Sequence, residues 1–142
     1  MKNLLLAALL LAAPVVYADS EVCSGSAWTR SEFVNGFCSG DYCSGWIHSS
    51  QVAGDGSCPS GTSFRATGWT RMEHVSETCR FGSIGFWDWG ATVMLSGVCS
   101  DGRSFSGQLR TPTSYVSGSC RPNGSFSVFL PSRSVSFSGE CR

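Results

Sequence analysis

Several residue types that identify common protein classes are scarce or missing in this chain. The only lysine is Lys2, histidine occurs twice, and no CxxC pair is present. Ten basic residues stand against ten acidic ones, so bulk charge favours neither a nucleic-acid partner nor an anionic membrane. With two histidines and no CxxC, the residues for a zinc site are also poor. The sequence therefore predicts no cofactor, no metal and no nucleic-acid partner.

Long apolar runs are missing after the first 18 residues. Residues 1–18 combine Lys2, an apolar stretch from Leu4 to Ala13 and a small residue at Ala18, which is the pattern of a cleavable signal peptide. The apolar stretch is shorter than the roughly 20 residues that span a bilayer, and Cys23 does not follow a lipoprotein sequence. We therefore expect a signal peptide over 1–18 and a single secreted or periplasmic domain over 19–142, without membrane insertion.

What the chain does have is eight cysteines, all beyond the expected cleavage site. They are Cys23, Cys38, Cys43, Cys58, Cys79, Cys99, Cys120 and Cys141. An even number in a small exported domain predicts a disulfide framework, which stabilises mainly by restricting the unfolded chain. Spacing alone leaves the pairing open. We favour bonds between sequence neighbours, namely 23–43, 38–58, 79–99 and 120–141.

Six of these cysteines form a repeat, because they recur at steps of 20 or 21 residues from Cys38 to Cys141. Glycine stands two residues before most of them. A Ser-Phe pair follows three of them, ending at Phe64, Phe105 and Phe126. Agreement at several positions indicates one small supersecondary unit that is copied about five times.

The repeated unit has the pattern of β structure. The stretches 125–130 and 134–141 alternate polar and apolar residues, as half-buried strands do. Asp-Gly at 101–102 and Asn-Gly at 123–124 and 35–36 are typical of hairpin turns. The predicted fold class is an all-β, small, disulfide-rich antiparallel sheet protein of about five 20-residue hairpin repeats and around ten strands. Barrel, sandwich and solenoid arrangements all remain open.

Few residues offer catalytic chemistry, and no GxSxG motif is present. His48 and His74 lie near hydroxyl or carboxyl side chains, but surface histidines commonly do. Asp88 stands between Trp87 and Trp89, and apolar neighbours raise the pKa of a carboxyl group. Because no acid or histidine belongs to a recognisable motif, the sequence predicts a protein that is not an enzyme.

The stretch Gly85–Gly90 concentrates three aromatic residues and one carboxylate. In three other repeats, the sixth, eighth and tenth residues after the cysteine have the parity of the core. The same count here predicts that Trp87 and Trp89 point inwards and that Phe86 and Asp88 point outwards. One residue more or less in the preceding turn would reverse both directions.

The function that these features favour is an exported, non-enzymatic binding protein. It would act as an adhesin-like, coat-like or glycan-binding module, with an extracellular protein or glycan surface as its partner. The candidate binding residues are Phe86, Asp88, Trp46, Trp69, Arg110 and Arg133. Two alternatives stay open: an inhibitor of an extracellular hydrolase such as a lysozyme or protease, which would use the loops 110–114 and 130–134, and a small hydrolase that uses Asp88 or His74.

Overall fold

The computed structural model describes residues 19–80 and 82–142, and this part of the chain is all β. The segment 1–18, where a signal peptide is expected, lies outside the described residues, so that expectation stays a prediction. No helix within the described ranges is long and apolar enough to cross a membrane. The predicted all-β fold is confirmed.

Twelve antiparallel strands, rather than about ten, divide into two sets that alternate along the chain. The first set closes into a barrel, the closed half, and consists of β1 (Glu21–Trp28), β4 (Gln51–Ser57), β5 (Ser63–Trp69), β8 (Thr92–Cys99), β9 (Ser104–Arg110) and β12 (Ser134–Cys141). The second set forms a six-stranded sheet, the open half, and consists of β2 (Glu32–Ser39), β3 (Tyr42–Ile47), β6 (Glu73–Thr78), β7 (Ser83–Asp88), β10 (Ser114–Cys120) and β11 (Ser125–Leu130). The stretches 125–130 and 134–141 are strands, as their alternation predicts.

Each strand of one half continues into a strand of the other through a short link, so the chain forms six long arms. Neighbouring arms keep one register through these links. For example, β1 and β12 end with Trp28 opposite Ser134, and β2 and β11 begin with Glu32 opposite Leu130. We call the level of the six links the waist. The molecule is therefore one up-and-down barrel of six arms, whose hairpin turns lie alternately at its two tips.

Three pairs of arms are hydrogen-bonded along both halves and form three ribbons, which are β1–β2 with β11–β12, β3–β4 with β5–β6, and β7–β8 with β9–β10. A threonine secures each ribbon at the waist: Thr29, Thr70 or Thr111. The backbone N–H of each threonine donates to the carbonyl of Arg133, Ser50 or Ala91, respectively, at 2.9 Å. Its Oγ1 accepts from the N–H of that same residue at 2.6–2.9 Å.

The ribbons are joined to one another mainly toward the tips, and pairing stops near the waist. This leaves three windows in the wall at waist level. Between β6 and β7, the described residues form only one bridge, from Arg80 to Ser83, so hydrogen bonds do not close the open half. We call the unpaired boundary between β6 and β7 the seam.

Each half has its own hydrophobic core, and large rings in both cores lie against glycines. A Cβ atom at Gly25 or Gly56 would come within 3 Å of the Phe64 ring. A Cβ atom at Gly36 would do the same against Phe126. The predicted turn at Asn35-Gly36 is therefore wrong: the pair lies inside β2, where its glycine leaves room for a ring.

The cysteines are buried at the two tips, but the predicted neighbour pairing is wrong. Successive arms run in opposite directions, so each of the four expected bonds would join opposite ends of the barrel. At the tip of the closed half the disulfides are instead Cys23–Cys58 and Cys99–Cys141.

At the tip of the open half, four cysteines converge. The Sγ atoms of Cys38, Cys43, Cys79 and Cys120 all lie within 4.8 Å of one another. The Sγ of Cys43 lies within bonding distance of both Cys38 and Cys79. Because one sulfur forms one disulfide, two complete pairings use one of these contacts: 38–43 with 79–120, or 43–79 with 38–120.

Candidate functional site

The most distinctive surface is a ring of aromatic side chains around the open half, next to the waist. Each ribbon contributes one pair of rings at directly opposed positions. The pairs and the distances between ring centroids are Phe33–Phe129 at 5.1 Å, Trp87–Tyr115 at 5.4 Å and Trp46–His74 at 4.7 Å. We call these six residues, one from each strand of the open half, the aromatic belt.

The belt is exposed because its residues alternate with core residues along each strand. Trp87 is 50% exposed and Trp89, which follows β7, is 63% exposed. The two indoles stack with their centroids 5.8 Å apart. Large apolar side chains clustered on a solvent-facing surface mark interaction sites, and tryptophan adds an N–H donor at its edge. The belt therefore offers several flat rings held on sheet rather than on loops.

This orientation overturns the predicted direction of the Gly85–Gly90 stretch. Phe86 is only 2% exposed and packs in the core of the open half, so it is not a surface residue. The error comes from the turn between Cys79 and β7. Arg80 and Ser83 pair across this turn, which makes it one residue shorter than the prediction assumed. The first buried residue of β7, Ile84, comes five positions after Cys79, whereas in three other repeats the corresponding residue comes six positions after its cysteine, so the inward and outward directions along β7 are reversed.

The other predicted binding residues are spread around the waist rather than gathered in one patch. Trp46 belongs to the belt. Trp69 and Arg110 are exposed at the ends of β5 and β9, on the closed-half side of the waist. Asp88 and Arg133 are half-buried, and Asp88, which was expected to point outwards, lines a cavity between the two cores.

That waist cavity has a volume of about 80 Å³. The three waist threonines line it, together with the carboxylates of Glu32, Glu73 and Asp88. Such a volume suits a few water molecules. It is well below the roughly 300 Å³ at which small-molecule pockets begin.

Three carboxyl groups and three arginines line this cavity, and two of the carboxyl groups, those of Glu32 and Glu73, are partly desolvated. Burial raises the pKa of Glu32, and the charge of Asp88 raises it further, while His48 and Arg30 oppose the rise. Burial, followed by Asp88, also raises the pKa of Glu73. His74 does not take part, because strand alternation turns it outwards into the belt while Glu73 points inwards. His74, one of the two residues considered for a hydrolase, therefore lies outside this cavity.

Two groups of cysteines have side chains close enough together to share a metal ion. Among the described residues, the groups of three or more ligand atoms within 4.8 Å of one another are the cysteine clusters at the two tips. The three waist carboxylates do not converge to that degree. Seven of the eight sulfurs lie at disulfide distance from another sulfur, and the Cys120 sulfur lies within 4.8 Å of the other three at its tip.

Sequence reasoning missed most of the belt and the waist threonines, although a signal for the waist was present. The triplets Trp28-Thr29-Arg30 and Trp69-Thr70-Arg71 are 41 residues apart, and Arg110-Thr111-Pro112 stands 41 residues further on. This spacing is two cysteine steps, or one ribbon. A repeat of 41 residues identifies equivalent places on the three ribbons, which the 20-residue repeat alone conceals.

Comparison with protein-family models, curated proteins and solved structures yields no match.

Proposed function

We propose that this chain is an exported, non-enzymatic binding protein that attaches to an extracellular glycan or protein surface through its aromatic belt. The observation that carries the proposal is the placement of one directly opposed pair of exposed rings on each of the three ribbons. The cores of both halves are filled by other residues, and the belt rings lie outside the wall. Their exposure opposes solubility unless a partner covers them.

The scaffold supports this function because it fixes the rings before binding. Each belt residue lies in a hydrogen-bonded strand, and disulfides cross-link the tip of the closed half. Binding then costs little conformational entropy, which improves affinity for a given contact area. Tryptophan and tyrosine are also the residues that most often dominate binding energy at interfaces.

The two alternative functions receive less support. A hydrolase needs room for its substrate beside the catalytic groups, and the cavity that holds Asp88 and Glu73 has a volume of about 80 Å³. An inhibitor needs a protruding loop, whereas 111–113 and 131–133 are waist links that run from one strand directly into the next.

The proposal is tested by removing rings from the belt. Purified protein is applied to a glycan array and to intact cells, together with a variant that carries Trp87→Ser and Tyr115→Ser. We expect the wild type to bind and the double variant to lose at least about tenfold in affinity, because each buried aromatic contact is worth on the order of 1 kcal/mol or more.

The matched control is Trp28→Ser, which removes an indole from the closed half that is somewhat more exposed (62%) than Trp87 (50%). It is expected to bind as the wild type does. Equal losses in both variants would assign binding to general hydrophobicity. Failure of the wild type to bind any glycan, protein or cell surface would overturn the proposed function.

A further inference from the structure

A second concave site lies just outside one of the three windows, between the first and second arms. This recess has a volume of about 370 Å³. Residues 30–32 of the first arm and 49–51 of the second line it, together with Trp69 from the neighbouring arm. Its lining consists of Arg30, Ser31, Glu32, Ser49, Ser50, Gln51 and Trp69. The volume falls within the range of small-molecule sites, unlike that of the waist cavity.

The recess combines one apolar plate with several hydrogen-bonding groups. Trp69 is 64% exposed, so a large part of its indole is open to solvent. Arg30 and Glu32, which line the waist cavity as well as the recess, bring a guanidinium donor and a carboxylate acceptor. The serines bring hydroxyl groups that can donate and accept. A set of this composition matches a molecule that has one apolar face and polar groups around its edge.

Two of the polar side chains are held in place, and two are free to receive a ligand. Ser49 Oγ donates to the Thr70 carbonyl, and Ser50 Oγ shares a hydrogen bond with Thr70 Oγ1 at 3.3 Å. Within the described residues, by contrast, the side chains of Arg30 and Glu32 have neither a hydrogen-bond nor an ion-pair partner. Glu32 is half-buried, so a donor on a bound molecule would compensate its desolvation.

The recess also differs from its equivalents on the other ribbons. One step of 41 residues carries Trp69 to Arg110, and one step back carries it to Trp28. The same steps carry Glu32 to Glu73 and then to Ser114. The first window alone therefore combines a tryptophan wall, an arginine and a glutamate. Asp88 acts as a like charge on both Glu32 and Glu73, so the difference between the windows lies in the tryptophan.

We infer that this recess binds one pyranose ring of a neutral sugar. The C–H face of the sugar stacks on Trp69, and adjacent hydroxyls take the donor of Arg30 and the acceptor of Glu32. The inference rests on the proposed function: the aromatic belt supplies contact area, and the recess supplies recognition of a particular sugar unit. A neutral ligand fits because one positive and one negative side chain meet there.

The test uses methyl glycosides of common hexoses and N-acetylhexosamines, with saturation-transfer NMR to detect contact and calorimetry to measure affinity. We expect at least one glycoside to bind wild-type protein. We expect Trp69→Ala and Glu32→Gln each to weaken that binding about tenfold or more. A factor of ten corresponds to about 1.4 kcal/mol of binding free energy. Trp28→Ala is the matched control, and it should leave the affinity unchanged.

The outcomes separate the two proposals. If no glycoside binds, or if Trp69→Ala binds as tightly as wild type, the recess is not a sugar site. Loss of array binding in the belt variant would then still support the proposed function. If neither the array, the cells nor the glycosides bind, both proposals fail together.

Discussion

The two halves of the barrel share one register and one set of arms, but among the described residues only in the closed half do hydrogen bonds join the strands into a complete ring. In the closed half every strand has two hydrogen-bonded neighbours, and four cysteines form two disulfides. In the open half the ladder stops at the seam, and four cysteines crowd at the tip. The outer wall differs as well, because the open half carries the aromatic belt while exposed tryptophans of the closed half occur only at strand ends beside the waist.

Under the proposed function, the closed half would provide stability and the open half would provide the contact surface. The closed half is a continuous ring of hydrogen-bonded strands with two assigned disulfides. The open half has large rings outside its wall and an unpaired boundary within it. Since each arm passes through both halves, the closed half can impose its geometry on the rings only through the waist. The following experiments test whether the halves are truly coupled and how they differ.

The largest effect is expected from removing one core ring in each half. Phe64→Ala and Phe126→Ala each delete a buried ring that lies over glycines, which should cost about 3–5 kcal/mol. Chemical denaturation, followed by fluorescence and by hydrogen exchange, measures the loss. Because the arms are continuous, we expect either variant to unfold in one transition. Two separate transitions, or protection that survives in one half only, would show that the halves are independent.

The second-largest loss of stability is expected from the disulfides at the tip of the open half. We expect these to be Cys38–Cys43 and Cys79–Cys120. The Cα atoms of Cys38 and Cys43 are 4.0 Å apart, as in Cys23–Cys58 at 4.1 Å, and both pairs join neighbouring strands. A bond between Cys79 and Cys120 would then fasten β6 to β10 across the seam. Replacing both of these residues by serine should cost about 2–4 kcal/mol.

Peptide mapping of the unreduced protein distinguishes the two pairings, because trypsin cuts after arginine. The expected pairing links peptide 72–80 to peptide 111–133 and leaves 31–65 joined only to 19–30. In the other pairing, peptide 31–65 is joined to peptide 72–80 in addition to peptide 19–30. Finding 31–65 and 72–80 in one disulfide-linked species would contradict our assignment. The closed half provides the internal control, since its Cys99–Cys141 bond should link 81–103 to 134–142 in either case.

A smaller effect is expected at the waist, which transmits geometry between the halves. Thr70→Val keeps the shape of the side chain but removes the acceptor for the Ser50 N–H. The loss should be about 1 kcal/mol, typical of one buried hydrogen bond. Thr67→Val on the exposed face of β5 is the control and should be neutral. An equal effect in both variants would mean that the waist bond contributes nothing beyond strand propensity.

The smallest effect is a pH dependence that has opposite signs at the waist and at the closed tip. Burial raises the pKa of Glu73, so folding takes up protons there and this group favours the folded state as pH falls toward the usual carboxyl range. Glu73→Gln should therefore stabilise the protein by roughly a few tenths of a kcal/mol at pH 7, since solvent screens the charge. The gain should disappear near pH 4, where wild-type Glu73 is itself largely protonated.

For Glu21 the pH dependence of stability is expected to have the opposite sign. Hydrogen bonds from the Ser60 hydroxyl and backbone N–H, both at 2.7 Å, lower the pKa of Glu21, with a further contribution from Arg103. Its contribution is present at neutral pH and is lost as pH falls through the lowered pKa. Glu21→Gln should thus destabilise at pH 7, and Glu77→Gln, an exposed acid on β6, should change little. Thermal unfolding at the two pH values measures all three variants.

Local patterns predicted the strands well, because alternation and turn residues act over a few positions. The stretches 125–130 and 134–141 have the predicted bounds, and the turns at 101–102 and 123–124 lie at the tips. Asn35-Gly36 failed since the same pair also suits a strand whose glycine must accommodate Phe126. That requirement comes from a ring distant in sequence.

The composition of the aromatic belt and the disulfide pairing could not be predicted from local sequence patterns. A turn shortened by one residue reversed the direction of Trp87 and Phe86, and nothing around them in sequence records the length of that turn. The disulfide pairing depended on arm direction, which alternates only if the repeats form a barrel rather than a stack. The pairs that make up the belt, such as Phe33 with Phe129, are nearly a hundred residues apart and meet only through strand register.

The pairing of the first strand with the last has a consequence for connectivity. Glu21 lies opposite Cys141, and Arg103 donates to the carbonyls of both Asp19 and Cys141. Beginning and end of the described chain thus meet at one tip, and the arms form a ring without a unique starting point. A circular permutant, joined there by a few residues and opened at the Gly40 turn, would keep every strand beside its present neighbours.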